Sequence, residues 1–260
     1  MRISLAVATV TAFVTSGAVA STFVIGVGQS SPSGHDGIVT TISGAVTESF
    51  GTGVVLNESD PTNITNCKVT RTTVITLSGD YLLGAGGTIN RRREPNGDRG
   101  CYLSAGNASL VSTAKIAFKV PTGKFIDYIG FYIGSVDPYN YFQFQKVDGT
   151  AVPNNLADST NGNEASGAEI TSLNGDIPFD SLFLEATFDS TDAVAALQLR
   201  NTNYATEIDN LAYHFANLPP IQAHALQARS AQALAVDAPG MAGALGLSFA
   251  ALAFARRRNC

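Results

Sequence analysis

The 260-residue chain contains no tryptophan and only three histidines, three cysteines and two methionines. Without tryptophan, the stacking of a sugar ring is left to tyrosine and phenylalanine, which occur eight and 14 times. Neither Cys67 nor Cys101 has a histidine or another cysteine at the spacing of zinc ligands. We therefore expect no zinc site.

Sequence patterns of catalytic sites are also missing. The chain has no Gly-x-Ser-x-Gly elbow, no phosphate-binding loop and no dinucleotide fingerprint. His214 and His224 have no nucleophile nearby in the sequence, and His214 fits a packed or rim residue better than a base. Glu185 and Asp189 share one face of a predicted strand, but the Glu-x-Asp-x-x-Glu pattern of retaining jelly-roll glycosidases is absent. We therefore predict that the chain is not an enzyme.

The N-terminus has the three parts of a secretory signal. Met1-Arg2 is a minimal positive region, residues 3–14 are apolar and uncharged, and Ala18-Val19-Ala20 is a small-x-small cleavage site before Ser21. A transmembrane anchor is the alternative, but the apolar region is short and no stop-transfer charges follow it. The sequence predicts a cleaved signal peptide over residues 1–20.

The C-terminus has three parts in a fixed order. The turn-forming pair Pro239-Gly240 is followed by an apolar run over residues 241–255 and then by three arginines, Arg256, Arg257 and Arg258. As a helix the run would cover only about 22 Å, which is short of the roughly 30 Å hydrocarbon core. From these physical features alone an ordinary C-terminal anchor is one interpretation, with the arginines on the cytoplasmic side.

The order of these parts resembles the PEP-CTERM tail, through which exosortase-type enzymes cleave and sort secreted proteins. Val-Asp-Ala-Pro-Gly stands where that family usually has Val-Pro-Glu-Pro, which leaves the cleavage position open. The resemblance implies an exosortase-type enzyme as partner and a transient anchor in the inner membrane. The protein would then be released to the cell surface or the extracellular space.

Removal of both ends changes the charge of the chain. Arg2 and the three C-terminal arginines account for four of the 16 basic residues, whereas all 21 acidic residues lie between Ser21 and Gly240. The exported body therefore has 12 basic and 21 acidic residues, a net charge of −9. Nucleic acid and anionic membranes are poor partners for such a body.

The cysteines fit export to an oxidising compartment. Cys260 would leave with the tail, so the mature chain keeps only Cys67 and Cys101. Two cysteines in such a compartment most simply form one disulfide. Its closure should stabilise the fold by roughly 3–4 kcal/mol in the chain-entropy model.

The body of the chain has the pattern of short β-strands separated by glycine-rich and polar turns, without a long helical period before residue 217. The predicted strands cover residues 38–42, 45–50, 52–56, 67–78, 114–120, 126–133, 141–145, 181–188, 194–199 and 207–215. This pattern predicts an all-β, two-sheet antiparallel β-sandwich that is jelly-roll-like. The predicted organisation is a signal peptide (1–20), a flexible segment (21–36), the sandwich (37–217), a linker (218–235) and the sorting tail (236–260).

The centre of the predicted sandwich is residues 125–146. Apolar residues on both faces of its first half predict a central strand. The turn Gly-Ser-Val-Asp-Pro-Tyr-Asn follows, over residues 134–140. With the preceding Tyr-Ile-Gly-Phe-Tyr-Ile, it resembles a set of exosortase-dependent surface proteins that share a Gly-Ser-x-Asp-x-Tyr-Asn turn within a β-domain. That resemblance covers residues 45–215 and implies location and fold, but no chemistry.

Two groups of residues are candidate binding sites. Glu207-Ile208-Asp209-Asn210-Leu211 resembles the terminal strand of extracellular carbohydrate-binding sandwiches, in which an aspartate helps to hold Ca²⁺. Glu48, Asp209 and Asn210 are the candidate calcium ligands if the first and last strands adjoin. Solvent-facing carboxylates at strand ends are the alternative. The arginines at 91–93 are either an anionic-polysaccharide contact or part of a solvated loop.

The sequence therefore predicts a surface-sorted β-sandwich with a structural or adhesive role in an extracellular matrix or biofilm. The alternative is a carbohydrate-binding module that captures exopolysaccharide through Tyr139, Tyr141 and their neighbours. A glycoside-active enzyme ranks third.

Overall fold

The computed structural model describes residues 22–26, 28–30, 37–51, 67–85, 100–106, 111–134, 136–156, 162–173 and 181–219. The predicted signal peptide, most of the predicted linker and the whole sorting tail, with Pro239, Gly240, Arg256, Arg257 and Arg258, lie outside these residues. So do the predicted strand at residues 52–56 and the arginine cluster at 91–93.

The described residues form short strands and one short helix. The strands are β1 (Thr22–Gly26), β2 (Gln29–Ser30), β3 (Ile38–Val39), β4 (Val46–Glu48), β5 (Ile75–Gly79), β6 (Tyr81–Ala85), β7 (Cys101–Ala105), β8 (Ser112–Phe118), β9 (Lys124–Ile133), β10 (Asn140–Lys146), β11 (Ala165–Ser166), β12 (Leu182–Thr187), β13 (Val194–Asn201) and β14 (Thr206–Asn217). The helix is α1 (Gly167–Leu173).

The strands build two larger antiparallel sheets. The seven-stranded sheet has the order β1-β12-β9-β14-β7-β6, and β4 pairs with the middle of β14. The five-stranded sheet has the order β11-β10-β13-β8-β5, and β2 pairs with β3 in a separate ribbon. The prediction of an all-β chain with two antiparallel sheets is confirmed.

The two sheets face each other across an apolar core. Aromatic rings from the two sheets meet there, with centroids 5.4 Å apart for Phe131 and Phe142 and 5.6 Å apart for Phe118 and Tyr213. Strand β8 shows why this sequence forms a sandwich, because its residues alternate between buried and partly exposed along its whole length. Strand β9 lies inside the seven-stranded sheet, between β12 and β14, as its apolar residues on both faces predicted.

Two predictions about local structure are corrected. Residues 21–36 were expected to be flexible, but Thr22–Gly26 form the edge strand β1, and the Phe23 ring lies 5.0 Å from that of Phe144 in the core. The glycines and serines on either side of this short apolar run are typical of a flexible segment, so the sequence pattern did not predict the strand. The predicted strand over residues 67–78 begins only at Ile75, because residues 72–74 form a turn and Cys67 makes only an isolated bridge with Gly51.

The chain crosses from one sheet to the other repeatedly at the same end of the sandwich, which we call the crossover end. The crossings there include those from β5 to β6, from β7 to β8, from β9 to β10 and from β13 to β14. Asn201 ties two of them together, since its amide nitrogen donates to Ala105 O and to Ser112 Oγ, each at 2.9 Å. Gly106 is required beside it: its φ is 99°, and a Cβ there would lie 2.1 Å from the Asn201 amide.

Candidate functional site

The turn that leads from Gly134 to Asn140, described at Gly134 and at residues 136–140, forms one of the crossings and is anchored at both of its ends. Gly134 N donates to Glu207 O at 2.8 Å, and Ser181 Oγ donates to Gly134 O at 2.6 Å. Asn140 N donates to Asp137 O at 2.9 Å, which closes the turn before β10 begins. The turn therefore has a fixed position relative to both sheets.

Helix α1 packs directly against this turn. A Cβ at Gly167 would lie 1.9 Å from Asp137 O, so only glycine permits this approach. Ser166 and Glu169 form a capping box: Ser166 N donates to Glu169 Oε2 at 2.6 Å, and Glu169 N donates to Ser166 Oγ at 3.2 Å. Because the cap holds the start of α1, it also supports the turn.

Two tyrosine side chains contact each other beside this turn. The ring centroids of Tyr139 and Tyr204 lie 5.6 Å apart in an edge-to-face contact with an interplanar angle of 65°, and both side chains are partly exposed. Thr202 N donates to Tyr139 O at 3.1 Å, which holds the two crossings side by side. Burial and a hydrogen bond from its hydroxyl to Asp137 raise the pKa of Tyr139, so the hydroxyl stays protonated at physiological pH and remains a donor to that carboxylate.

A third tyrosine lies beside them on the outer face of the five-stranded sheet. Tyr141 pairs across the strands with Arg200, whose guanidinium carbon lies 3.9 Å from the centroid of the Tyr141 ring. Glu164 holds this guanidinium, with Arg200 Nε donating to Oε1 at 2.8 Å and the second nitrogen donating to Oε2. These contacts with Glu164 raise the pKa of Arg200. We call Tyr139, Tyr141, Tyr204 and Arg200 the aromatic patch.

Glutamines continue the same outer face away from the aromatic patch. Gln145 Nε2 donates to Gln143 Oε1 at 2.8 Å and to Gln198 Oε1 at 2.7 Å. Gln143 Nε2 in turn donates to Gly162 O at 2.8 Å. This face therefore combines aromatic rings with ordered amide groups.

Of the two predicted sugar contacts, Tyr139 lies in the turn just before β10 and Tyr141 is the second residue of β10, and both are partly exposed. The sequence reading missed Tyr204, Arg200 and Glu164. Alternation on β13 could have placed Arg200 on an outer face, but only the pairing of β10 with β13 sets it opposite Tyr141.

The predicted calcium ligand Glu48 has a different set of contacts. Strands β4 and β14 are hydrogen-bonded neighbours, and Glu48 lies opposite Leu211. The strand adjacency that the calcium prediction required is therefore present. The Glu48 side chain is fully buried, and its carboxylate accepts hydrogen bonds from the backbone nitrogens of Phe50, Thr70 and Arg71 at 2.7–2.8 Å and from the Thr70 hydroxyl. Glu48 thus connects β4 to the chain that leads into β5 of the other sheet.

The other two predicted calcium ligands lie in an irregular part of β14. The pairing of β14 with β9 shifts between Asp209 and Ala212, and Asn210 has a positive φ of 49°. The Asn210 amide donates to Ile38 O at 3.0 Å, and Asp209 is fully buried. A cation at Glu48 would have to replace its N–H donors, so the calcium site stays a prediction. Within the described ranges, no three His, Cys, Asp or Glu residues are grouped so that they could hold a metal ion.

Cys67 and Cys101 form the predicted disulfide, with their Cα atoms 5.4 Å apart. Cys101 is fully buried at the start of β7, whereas Cys67 lies outside the sheets. The bond therefore fixes the chain between β4 and β5 to the seven-stranded sheet.

The outer face of the seven-stranded sheet carries a second group of polar side chains. Tyr128 OH donates to Glu185 Oε1 at 2.9 Å and lies 2.7 Å from Thr40 Oγ1. His214 Nδ1 and Asp127 Oδ1 are 2.7 Å apart, so His214 has a carboxylate partner at the rim of the sheet. Residues 38–44 lie over this face, through Thr40 and the contact of Asn210 with Ile38.

Among the helices of the described residues, none has the length and apolarity needed to cross a membrane. No protein-family model, no curated protein and no solved structure matches the chain.

Proposed function

We propose that the protein is exported and sorted to the cell surface, where its sandwich has a structural or adhesive, non-catalytic role in an extracellular matrix or biofilm. The observation that carries this proposal is the Cys67–Cys101 disulfide within a two-sheet β fold. Disulfides persist in oxidising compartments, so the bond fits export.

The start of the fold fits removal of a signal peptide. Strand β1 begins at Thr22, one residue after Ser21, the first residue expected in the mature chain. Cleavage after Ala20 would therefore leave β1 and its core residue Phe23 intact. The jelly-roll-like class is a further part of the proposal, supported by the repeated passage of the chain between the two sheets.

In this proposal an exosortase-type enzyme removes the tail over residues 236–260 after transient anchoring in the inner membrane. Intact-mass spectrometry of protein from its native host tests both processing steps. The expected mass is that of a chain that begins near Ser21 and lacks Arg256, Arg257 and Arg258. A mature protein that keeps these arginines would contradict sorting and leave simple anchoring.

A second candidate function is the binding of exopolysaccharide, as a carbohydrate-binding module. The aromatic patch favours it, because partly exposed tyrosines lie beside polar groups that can exchange hydrogen bonds with sugar hydroxyls. Binding of the secreted protein to a glycan array, compared with its Tyr139→Ala variant, tests this function. If the protein binds no glycan on the array, this second candidate function is contradicted and the structural or adhesive role remains.

A further inference from the structure

We propose that the aromatic patch binds a neutral polysaccharide and selects against acidic ones, with Tyr204 as a direct sugar contact and Glu164 as the residue that sets the selectivity. This inference rests on the second candidate function. It adds to that function the chemical class of the ligand and two residues, Tyr204 and Glu164.

Tyr204 and Tyr139 form the stacking part of the patch. Their rings are 5.6 Å apart with an interplanar angle of 65°, so a ligand that reaches both meets two surfaces of different orientation. The hydrogen bond to Asp137 holds the Tyr139 side chain in place before binding. Rings that are already ordered lose little conformational entropy when a sugar stacks on them.

Exposed polar side chains lie next to these rings along the chain. Thr202 and Asn203 are exposed at the crossing that carries Tyr204. Sugars present apolar C–H faces and a rim of hydroxyls, so a ligand of this kind needs both rings and polar neighbours. A purely apolar ligand would leave the polar neighbours unpaired.

The charges of the patch argue against an acidic ligand. Arg200 is its cation, and two of the guanidinium nitrogens already bind the Glu164 carboxylate while the guanidinium covers the Tyr141 ring. Asp137 accepts from Tyr139, and Glu207 is close enough to act on Tyr139 electrostatically. A uronic acid would therefore approach an arginine that is already paired and the negative field of two buried carboxylates, within a body of net charge −9.

The test is affinity electrophoresis of the secreted protein in gels that contain one polymer each: dextran, hydroxyethyl cellulose, galactomannan or alginate. We expect at least one neutral polymer to retard the protein, and alginate to bind at least about tenfold more weakly than that polymer. Tyr204→Ala should weaken the neutral interaction by about tenfold or more, as for loss of a central aromatic contact. Tyr81→Ala is the matched control, because Tyr81 is an exposed tyrosine on β6, the edge strand of the other sheet.

Glu164→Gln tests the selectivity. The amide keeps the size of the side chain and can still accept from Arg200, but it leaves the arginine charge without a counter-charge. We expect this variant to gain alginate binding by several-fold at low salt and to lose the gain at about 0.5 M salt, where the charge is screened. Its melting temperature, compared with wild type, shows whether the fold is retained.

The outcomes separate the two levels of the proposal. Tighter binding of alginate than of every neutral polymer by the wild-type protein would overturn the neutral selectivity and leave carbohydrate binding in place. Unchanged neutral binding in Tyr204→Ala would remove Tyr204 as a contact, and a folded Glu164→Gln variant without alginate binding would remove Glu164 as the selectivity residue. Retardation by none of the four polymers would contradict both this inference and the carbohydrate-binding function, while surface sorting is decided separately by the mature mass.

Discussion

The outer faces of the two sheets carry similar polar residues in different surroundings. On the seven-stranded sheet, Tyr128 is buried beneath residues 38–44, with its hydroxyl between Glu185 and Thr40. On the five-stranded sheet, Tyr141 is partly exposed beneath the guanidinium of Arg200. A hydrogen bond contributes most to stability when water cannot replace it, so the covered face should contribute to stability and the open face to binding.

The largest effect should come from Glu48, a fully buried carboxylate that accepts several hydrogen bonds. Replacing Glu48 with alanine leaves the backbone nitrogens of Phe50, Thr70 and Arg71 without their acceptor. We expect Glu48→Ala to lower the free energy of unfolding by about 4 kcal/mol, as measured by urea denaturation. Asp148→Ala, at an exposed turn, is the control, and equal losses in the two variants would refute the structural role of Glu48.

Loss of the disulfide should have the next largest effect. Cys67 and Cys101 are 34 residues apart, for which the chain-entropy model gives about 4 kcal/mol at most. We expect Cys67→Ser with Cys101→Ser to lower the free energy of unfolding by roughly 3 kcal/mol, because native strain usually reduces the full value. In the wild-type protein, iodoacetamide should label neither cysteine before reduction, and labelling of both would contradict the bond.

The same substitution on the two outer faces tests the comparison directly. Tyr128→Phe removes a hydroxyl that contacts Glu185 and Thr40, so we expect it to cost about 1–2 kcal/mol of unfolding free energy. Tyr141→Phe on the open face should cost less than about 0.5 kcal/mol. If the two variants are equally stable, the covered face does not contribute more to the free energy of unfolding than the open face.

The pH dependence gives a second measurement for Tyr128. Burial raises the pKa of its hydroxyl in the folded protein above the value in the unfolded chain. The folded state then holds its proton more tightly, so this contribution to stability is complete below about pH 10 and is lost as the pH rises above it. Wild type should therefore lose more stability than Tyr128→Phe above that pH.

The smallest expected effect concerns calcium. Because the Glu48 carboxylate already accepts from several N–H groups, we expect EDTA to leave the melting temperature unchanged. If Glu48, Asp209 and Asn210 do share Ca²⁺, saturation at about 100 times its Kd would add about 2.7 kcal/mol, which is a shift of several degrees. Loss of such a shift in Asp209→Ala, but not in Asp189→Ala, would restore the predicted site.

Local patterns in the sequence were sufficient for much of the fold. Alternation along residues 114–120 predicted strand β8, which spans Ser112–Phe118, and apolar residues on both faces of residues 126–133 predicted the interior position of β9. The same patterns failed at Thr22–Gly26, where flanking glycine and serine outweighed a short apolar run, and at residues 72–74, where a turn interrupts a β-like pattern. Burial of Phe23 against Phe144 depends on a partner more than 100 residues away, which no local pattern contains.

For the candidate site, too, some features follow from the sequence and others only from the tertiary structure. The sequence alone determined that Tyr139 lies in a turn and Tyr141 follows it, and that the chain alternates as a β-sandwich does, and it predicted the pairing of Cys67 with Cys101. The tertiary structure decided which side chains are in contact. Tyr204 contacts Tyr139. Arg200 covers the ring of Tyr141 and is hydrogen-bonded to Glu164. The Glu48 carboxylate accepts hydrogen bonds from Thr70 and Arg71. The physical reason is that residue type and spacing set which face of a strand a side chain occupies. The register between strands and the crossings between sheets set its neighbours.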